Sequence, residues 1–262
     1  MRLGRVLVIA AFFAPGLQAQ DRPLATEPAS TAPAGTLTFE SGLELLRAAP
    51  NFLTGQPRSV WAGPSLRFTY SPADSVELDL EWVAFVGQID DPVFGSGADA
   101  GDVTLRAKWG LRPEQAGRPA LAARFSVTLP ETSFGKGLGT NTLRMSADAL
   151  LSKALGARLR LHANAGLALF DNPLRAHEQS DLLAFGAALV GRVNAALDLL
   201  GELAGQVGHG ESGADQHVEA RLGVRFGKGS WRGDAALRRA FAAADGTWGF
   251  TAGVTWTLRK GH

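Results

Sequence analysis

The chain of 262 residues contains no cysteine and a single tyrosine. The missing cysteine excludes a disulfide framework, a thiolate metal site and a lipid-modified amino-terminal cysteine. No lysine and arginine run interleaved with aromatics occurs, and basic and acidic residues nearly balance at 26 against 25, so nucleic acid is not an expected partner. Also absent after residue 20 is any apolar stretch of about twenty residues, the length a membrane-crossing helix needs.

What is present begins with an export signal. Arg2 and Arg5 precede an apolar stretch over residues 6–17, and Ala19 supplies a small residue at the exit. Residues 1–19 are therefore expected to be a cleaved signal peptide, leaving 26 − 2 = 24 basic residues against 25 acidic ones and a mature net charge of −1. Residues 20–35 carry Pro23, Pro28 and Pro33 among Ala, Ser and Thr. A composition that buries so little apolar surface predicts a flexible periplasmic leader.

From residue 36 to residue 258 the dominant signal has period two, which sends alternate side chains to opposite faces of a strand. Val76, Leu78, Leu80, Trp82, Ala84 and Val86 share one face, and Glu77, Asp79 and Glu81 the other. The pattern repeats over residues 101–111, 120–129 and 248–258, and more weakly in eight further segments. About twelve strands of roughly ten residues, apolar on one side and polar on the other, predict an all-β fold: an antiparallel up-and-down transmembrane β-barrel. Connections alternate between tight turns, such as residues 71–74 and 153–156, and longer ones, such as 46–59, 88–100, 130–139 and 171–180. Short periplasmic turns and long outer loops produce that alternation, and an even strand count puts both ends in the periplasm. Alanine-rich residues 146–161 and 194–203 admit a helical reading in a soluble α+β fold. An exported chain alternating over most of its length satisfies its backbone in lipid by closing a sheet, and that reading is preferred.

The charged face then lines the lumen. The candidate lining residues are the acidic Glu77, Asp79 and Glu81 of an early strand, followed by the basic Arg106, Lys108 and Arg124, and Arg144, Arg158 and Arg160. Two readings follow: salt bridges that close a narrow barrel, or opposed acidic and basic walls whose field orients polar solutes along an open path. Neither metal, cofactor nor catalytic residue is expected. Gly135 to Thr140 lacks the full P-loop spacing, and Asp90, Asp91, Asp99 and Asp102 lack the spacing of a calcium loop. His162 is followed two positions on by Asn164 rather than by a nucleophile, which argues against a barrel-embedded lipid hydrolase.

Gly101 to Trp109, the strand ending in Thr128-Leu129-Pro130, the glycine-rich loop over residues 135–141 and Leu151-Ser152-Lys153 occur in the order found in one family. In these features the chain resembles the outer-membrane transporter family named for the meta-cleavage pathway of phenol degradation. Two features depart from it: Glu131-Thr132 follows Leu-Pro where the family commonly has Thr-Gly, and four residues run on after the last strand. The resemblance implies an outer-membrane barrel in a Gram-negative envelope and passage of aromatic or other hydrophobic compounds. The expected function is passive, porin-like passage of a small solute, and its rival is a closed structural or surface-interaction barrel. The expected partners are outer-membrane lipid, the outer-membrane assembly machinery and a small-molecule solute.

Overall fold

The structure is a computed structural model that describes residues 22–174, 178–208, 217–241 and 246–259. The expected signal peptide and outer loop 209–215 lie outside the described residues, as does most of loop 242–246.

Fourteen strand segments form one antiparallel sheet. They run β1 (Thr36–Pro50), β2 (Pro57–Ala73), β3 (Val76–Val83), β4 (Phe85–Asp91), β5 (Gly95–Ala100), β6 (Val103–Arg112) and β7 (Ala120–Leu129). They continue as β8 (Arg144–Ala154), β9 (Leu159–Asp171), β10 (Gln179–Asn194), β11 (Leu197–Gly208), β12 (His217–Lys228), β13 (Trp231–Ala240) and β14 (Trp248–Arg259). β3 and β4 both pair with β2 and make one stave; β5 and β6 make another, so the wall has twelve staves. β1 pairs with β14 from Thr36↔Arg259 to Arg47↔Trp248 and also with β2, which closes the barrel.

The two broken staves share a cause. Pro64 in β2 has no N–H to give the ladder, and the register of β1 against β2 shifts at the same level, between Gly42 and Glu44. Across β2, the Ala84 N–H bonds to the Pro64 carbonyl at 2.9 Å, outside the regular ladder. The interruption flips the alternation. Ala84, expected on the lipid face with Trp82, is buried inside, and Phe85 takes the outward position. Beyond the break, the stretch expected as an open loop over residues 88–100 is instead a β4–β5 hairpin.

Elsewhere the expected faces hold. Leu78, Leu80, Leu105, Trp109, Phe125 and Phe250 are exposed, whereas Glu77, Asp79, Lys108 and Asp148 are buried. An apolar exterior around a polar interior is what a strand wall needs in lipid. Tyr70, Trp109, Phe226 and Trp231 lie near strand ends at the short turns, and Trp231 stacks on Trp256 with centroids 5.4 Å apart. Tryptophan and phenylalanine thus supply the interfacial belt that one tyrosine cannot.

At the opposite end, residues 130–143 fold over the wall. Asp102 Oδ1 accepts from the Glu131 and Thr132 N–H groups, each at 3.0 Å, and Asp99 Oδ2 accepts from the Ser133 N–H at 3.0 Å. Arg58 donates to the Gly137 carbonyl at 2.5 Å. The glycine-rich motif closes a short 3-10 turn, Phe134–Lys136, with Gly137 at φ 66° against the Asn51 side chain. Asp91, Asp99 and Asp102 thus accept from backbone amides and, for Asp91, from the Asn51 amide.

Candidate functional site

The lumen is occupied by the chain itself. Residues 22–35, expected as a flexible leader, turn back from the start of β1 and cross the interior as an irregular extended segment. Its prolines and small residues suit this position. A segment without regular structure must satisfy its backbone elsewhere, and a polar lumen offers side chains for that. The Ala25 and Thr26 N–H groups bond to Glu202 at 3.0 and 2.5 Å, that of Ala29 to Ser152 Oγ at 2.8 Å, and that of Ala32 to Glu77 at 2.6 Å. In the other direction, Arg221 and Arg225 donate to the Pro23 and Arg22 carbonyls at 2.9 and 2.8 Å. Asn164 clasps Glu27 from both sides, its amide oxygen accepting from the Glu27 N–H at 2.8 Å and its nitrogen donating to the Glu27 carbonyl at 2.9 Å.

Glu27 is the centre of this plug. Its carboxylate, buried with the rest of the residue, meets Arg67 at 2.9 Å and Arg124 at 2.8 Å. Arg67 also reaches Asp79 at 3.3 Å, and Arg124 reaches Asp148 at 2.9 Å. The plug therefore ties β2 to β7 through one side chain. Arg22 anchors the other end, donating to Thr251 Oγ1 and the Ala252 carbonyl at 2.9 Å each. Its guanidinium occupies the space that a Cβ on Gly42 would fill, 2.1 Å from the Arg22 Cζ. Because the clash is with the far end of a flexible side chain, Gly42→Ala is expected to leave the barrel folded while ejecting Arg22 from its seat. Faster hydrogen exchange at residues 22–26 with unchanged strand protection would record this; unchanged exchange there would contradict it.

The sequence-derived lining residues all belong to the interior face or its mouth. Glu77 meets Lys108 at 2.5 Å, and Glu81 meets Arg106 at 2.6 Å. Arg144 donates to Gln206 at 2.8 Å and lies over the Phe170 ring. Arg160 pairs at 3.0 Å with Glu114 of the turn after β6, and Arg158 stands exposed at the short-turn mouth. Burial opposes ionisation of Glu114, but the Ala154 N–H, Arg160 and Lys153 outweigh it and hold its carboxyl below the usual range. The expected opposition of acidic and basic walls is not what forms. The acidic β3 and the basic β6 are neighbours, with Glu77↔Lys108 and Asp79↔Arg106 in register, so their charges cancel along the wall rather than across the lumen.

Glu202 is among the later-strand charges that the alternation turns inward, whereas Glu27, Arg67 and Asp148 were not singled out from the sequence. For the two wall residues the alternation was available, in Ser65-Arg67-Thr69 and Arg144-Ser146-Asp148. Glu27 gave only the hint of being the one carboxylate among residues 22–35.

The plug divides the interior. Pro23, Ala25 and Glu27 face a cavity of about 500 Å³ toward the long-loop end, bounded also by Glu81, Arg106 and Arg144. Thr26 and Pro28 face a smaller cavity of about 100 Å³ at the short-turn end. Ser152 Oγ lies 2.7 Å from His162 Nδ1 beneath the plug. That pair resembles a nucleophile and base, but Ser152 is wholly buried and its hydroxyl accepts the Ala29 N–H. The geometry assigns it to holding the plug.

No protein-family model and no curated protein sequence matches the chain. Among solved structures it is similar to an outer membrane channel from Pseudomonas putida F1, at 17% identity and a TM-score of 0.64, over 88% of this chain and 98% of that one. It is also similar to the translocator domain of the autotransporter NalP from Neisseria meningitidis, at 13% identity and a TM-score of 0.53, over 84% and 88% of the two chains. The beta domain of the Bordetella autotransporter BrkA follows at 15% identity and 0.52, over 86% and 100%. These likenesses concern the fold, and they agree with the closed wall and apolar exterior: the chain has the architecture of an outer-membrane β-barrel.

Proposed function

We propose that the protein is an outer-membrane channel for passive passage of small polar solutes, exported through a cleaved signal peptide and closed in this conformation by its own residues 22–35. The observation that carries the reading is a polar, charged interior with a cavity on each side of one removable segment. The likeness to a solved outer membrane channel over most of both chains supports it. The larger cavity presents carboxylates and guanidinium groups together, including Glu44, Glu81, Arg106 and Arg144, which suits zwitterionic solutes. Aromatic or hydrophobic cargo, implied by the family resemblance, has less support from so charged a lining. The chemistry is binding and passage, without a covalent step.

A second reading, a permanently closed structural barrel, is favoured by the plug's many wall contacts. Liposome swelling separates the two. Reconstituted protein freed of its plug is expected to admit glycine and other small zwitterions faster than neutral sugars of similar size, and Arg106→Glu with Arg144→Glu is expected to shift selectivity toward cations. Absence of swelling and of conductance in the unplugged protein would contradict the channel.

A further inference from the structure

We infer that the short-turn end of the lumen holds a binding site for a phosphate-class oxyanion, seated beneath the plug against Arg158, Arg192 and Arg232. The cavity there is lined by five arginines, these three with Arg160 and Arg225, and by one carboxylate, Asp198. Elsewhere in the interior Arg67, Arg106, Arg124, Arg221 and Arg238 each meet a carboxylate at hydrogen-bonding distance. At this mouth the match fails. Asp198 is shared between Arg192 at 3.7 Å and Arg232 at 3.8 Å, and Arg158 forms no ion pair among the described residues. Arg160 is answered from outside the lining by Glu114, and Arg225 is engaged with the Arg22 carbonyl, which leaves Arg158, Arg192 and Arg232 against Asp198. Cationic excess remains in a concave space of about 100 Å³, room for one tetrahedral oxyanion or a few waters.

The chemistry selects the ligand. Guanidinium groups from the turn before β9, from β10 and from β13 line one cavity and offer paired, planar N–H donors, which fit phosphate-like oxygens better than a spherical halide. Thr26 and Pro28 of the plug form the cavity's other wall, so a bound anion touches the plug and favours its seated position. The phosphate group has two sources at this mouth, inorganic phosphate in solution or the headgroup of a lipid in the adjoining leaflet. The site stands on its own geometry and holds whether or not the barrel transports.

The test uses the full mature chain in uncharged detergent, with inorganic phosphate titrated at constant ionic strength and binding followed by calorimetry. Saturable binding near one phosphate per barrel is expected, weakened at least about tenfold in Arg158→Ser/Arg192→Ser. Both side chains are exposed at the rim and neither holds the plug, so heat-modifiable migration on gels should confirm a folded barrel. Arg112→Ser, at the same end but outside the cavity, is expected to bind as the parent does. In vesicles of phosphatidylglycerol against phosphatidylcholine, slower hydrogen exchange of residues 24–29 in the first alone would assign the phosphate group to lipid. Equal exchange in the two vesicles would assign it to free phosphate, whereas heat that chloride reproduces at equal ionic strength, or equal binding in the double variant, would overturn the site.

Discussion

Deleting residues 22–34 is expected to convert a barrel of low conductance into an open one, with a several-fold rise in single-channel current in planar bilayers. The barrel should survive the deletion, because closure runs through the β1–β14 and β1–β2 ladders, in which those residues take no part. Removing the segment joins the cavities of about 500 and 100 Å³ that it now separates. The walls left behind stay internally paired, with Arg67 on Asp79, Arg124 on Asp148 and Lys108 on Glu77, so no isolated charge is created. Equal currents before and after deletion, in protein shown to be folded by heat-modifiable migration, would mean that the segment is not the barrier.

The second large effect is expected from Glu27→Gln. The substitution keeps the size of the side chain and removes the charge that faces Arg67 and Arg124. Breaking one partner out of a buried ion network costs about 3–5 kcal/mol, and because both arginines retain a second carboxylate the lower end applies here. About 3 kcal/mol moves the seated-to-released ratio of the plug by roughly a hundredfold. The absence of cysteine makes the readout direct. Ala29→Cys, at a position packed with Ala120, Ala122 and Leu150, should resist a water-soluble maleimide in the parent and react far faster when Glu27→Gln is added. Glu27→Asp retains the charge and should fall between the two. Equal labelling in all three would remove Glu27 from the account of closure.

Much of the wall could be read from alternation alone, and the plug could not. Leu105, Ala107 and Trp109 against Arg106 and Lys108 state their faces because one side meets lipid and the other does not. That inference fails where the ladder is interrupted. The inward turn of Ala84 depends on Pro64 and the register shift near Gly42, twenty and more residues earlier in the chain. Pairing between walls was equally hidden, since nothing in Glu77 or Lys108 taken singly says that their strands are neighbours. The proline-rich segment was misread for a compositional reason. A stretch with little apolar surface suits solvent, and it suits a polar lumen just as well. What distinguishes the two is a wall that supplies acceptors for Thr26, Ala29 and Ala32 and donors for Pro23, which composition does not contain.

The central claim, that residues 22–35 sit inside the barrel and bar the route through it, is tested most directly by fixing the plug in place. Ala29→Cys with Ser152→Cys sets two thiols where the Ala29 N–H now meets the Ser152 hydroxyl at 2.8 Å. In the otherwise cysteine-free chain carrying Glu27→Gln, a short bifunctional methanethiosulfonate should join them through two disulfides in native membranes and suppress the conductance that Glu27→Gln releases, and reducing those disulfides should restore it. Failure to cross-link while both cysteines label freely, or a current that is indifferent to the cross-link, would contradict the account.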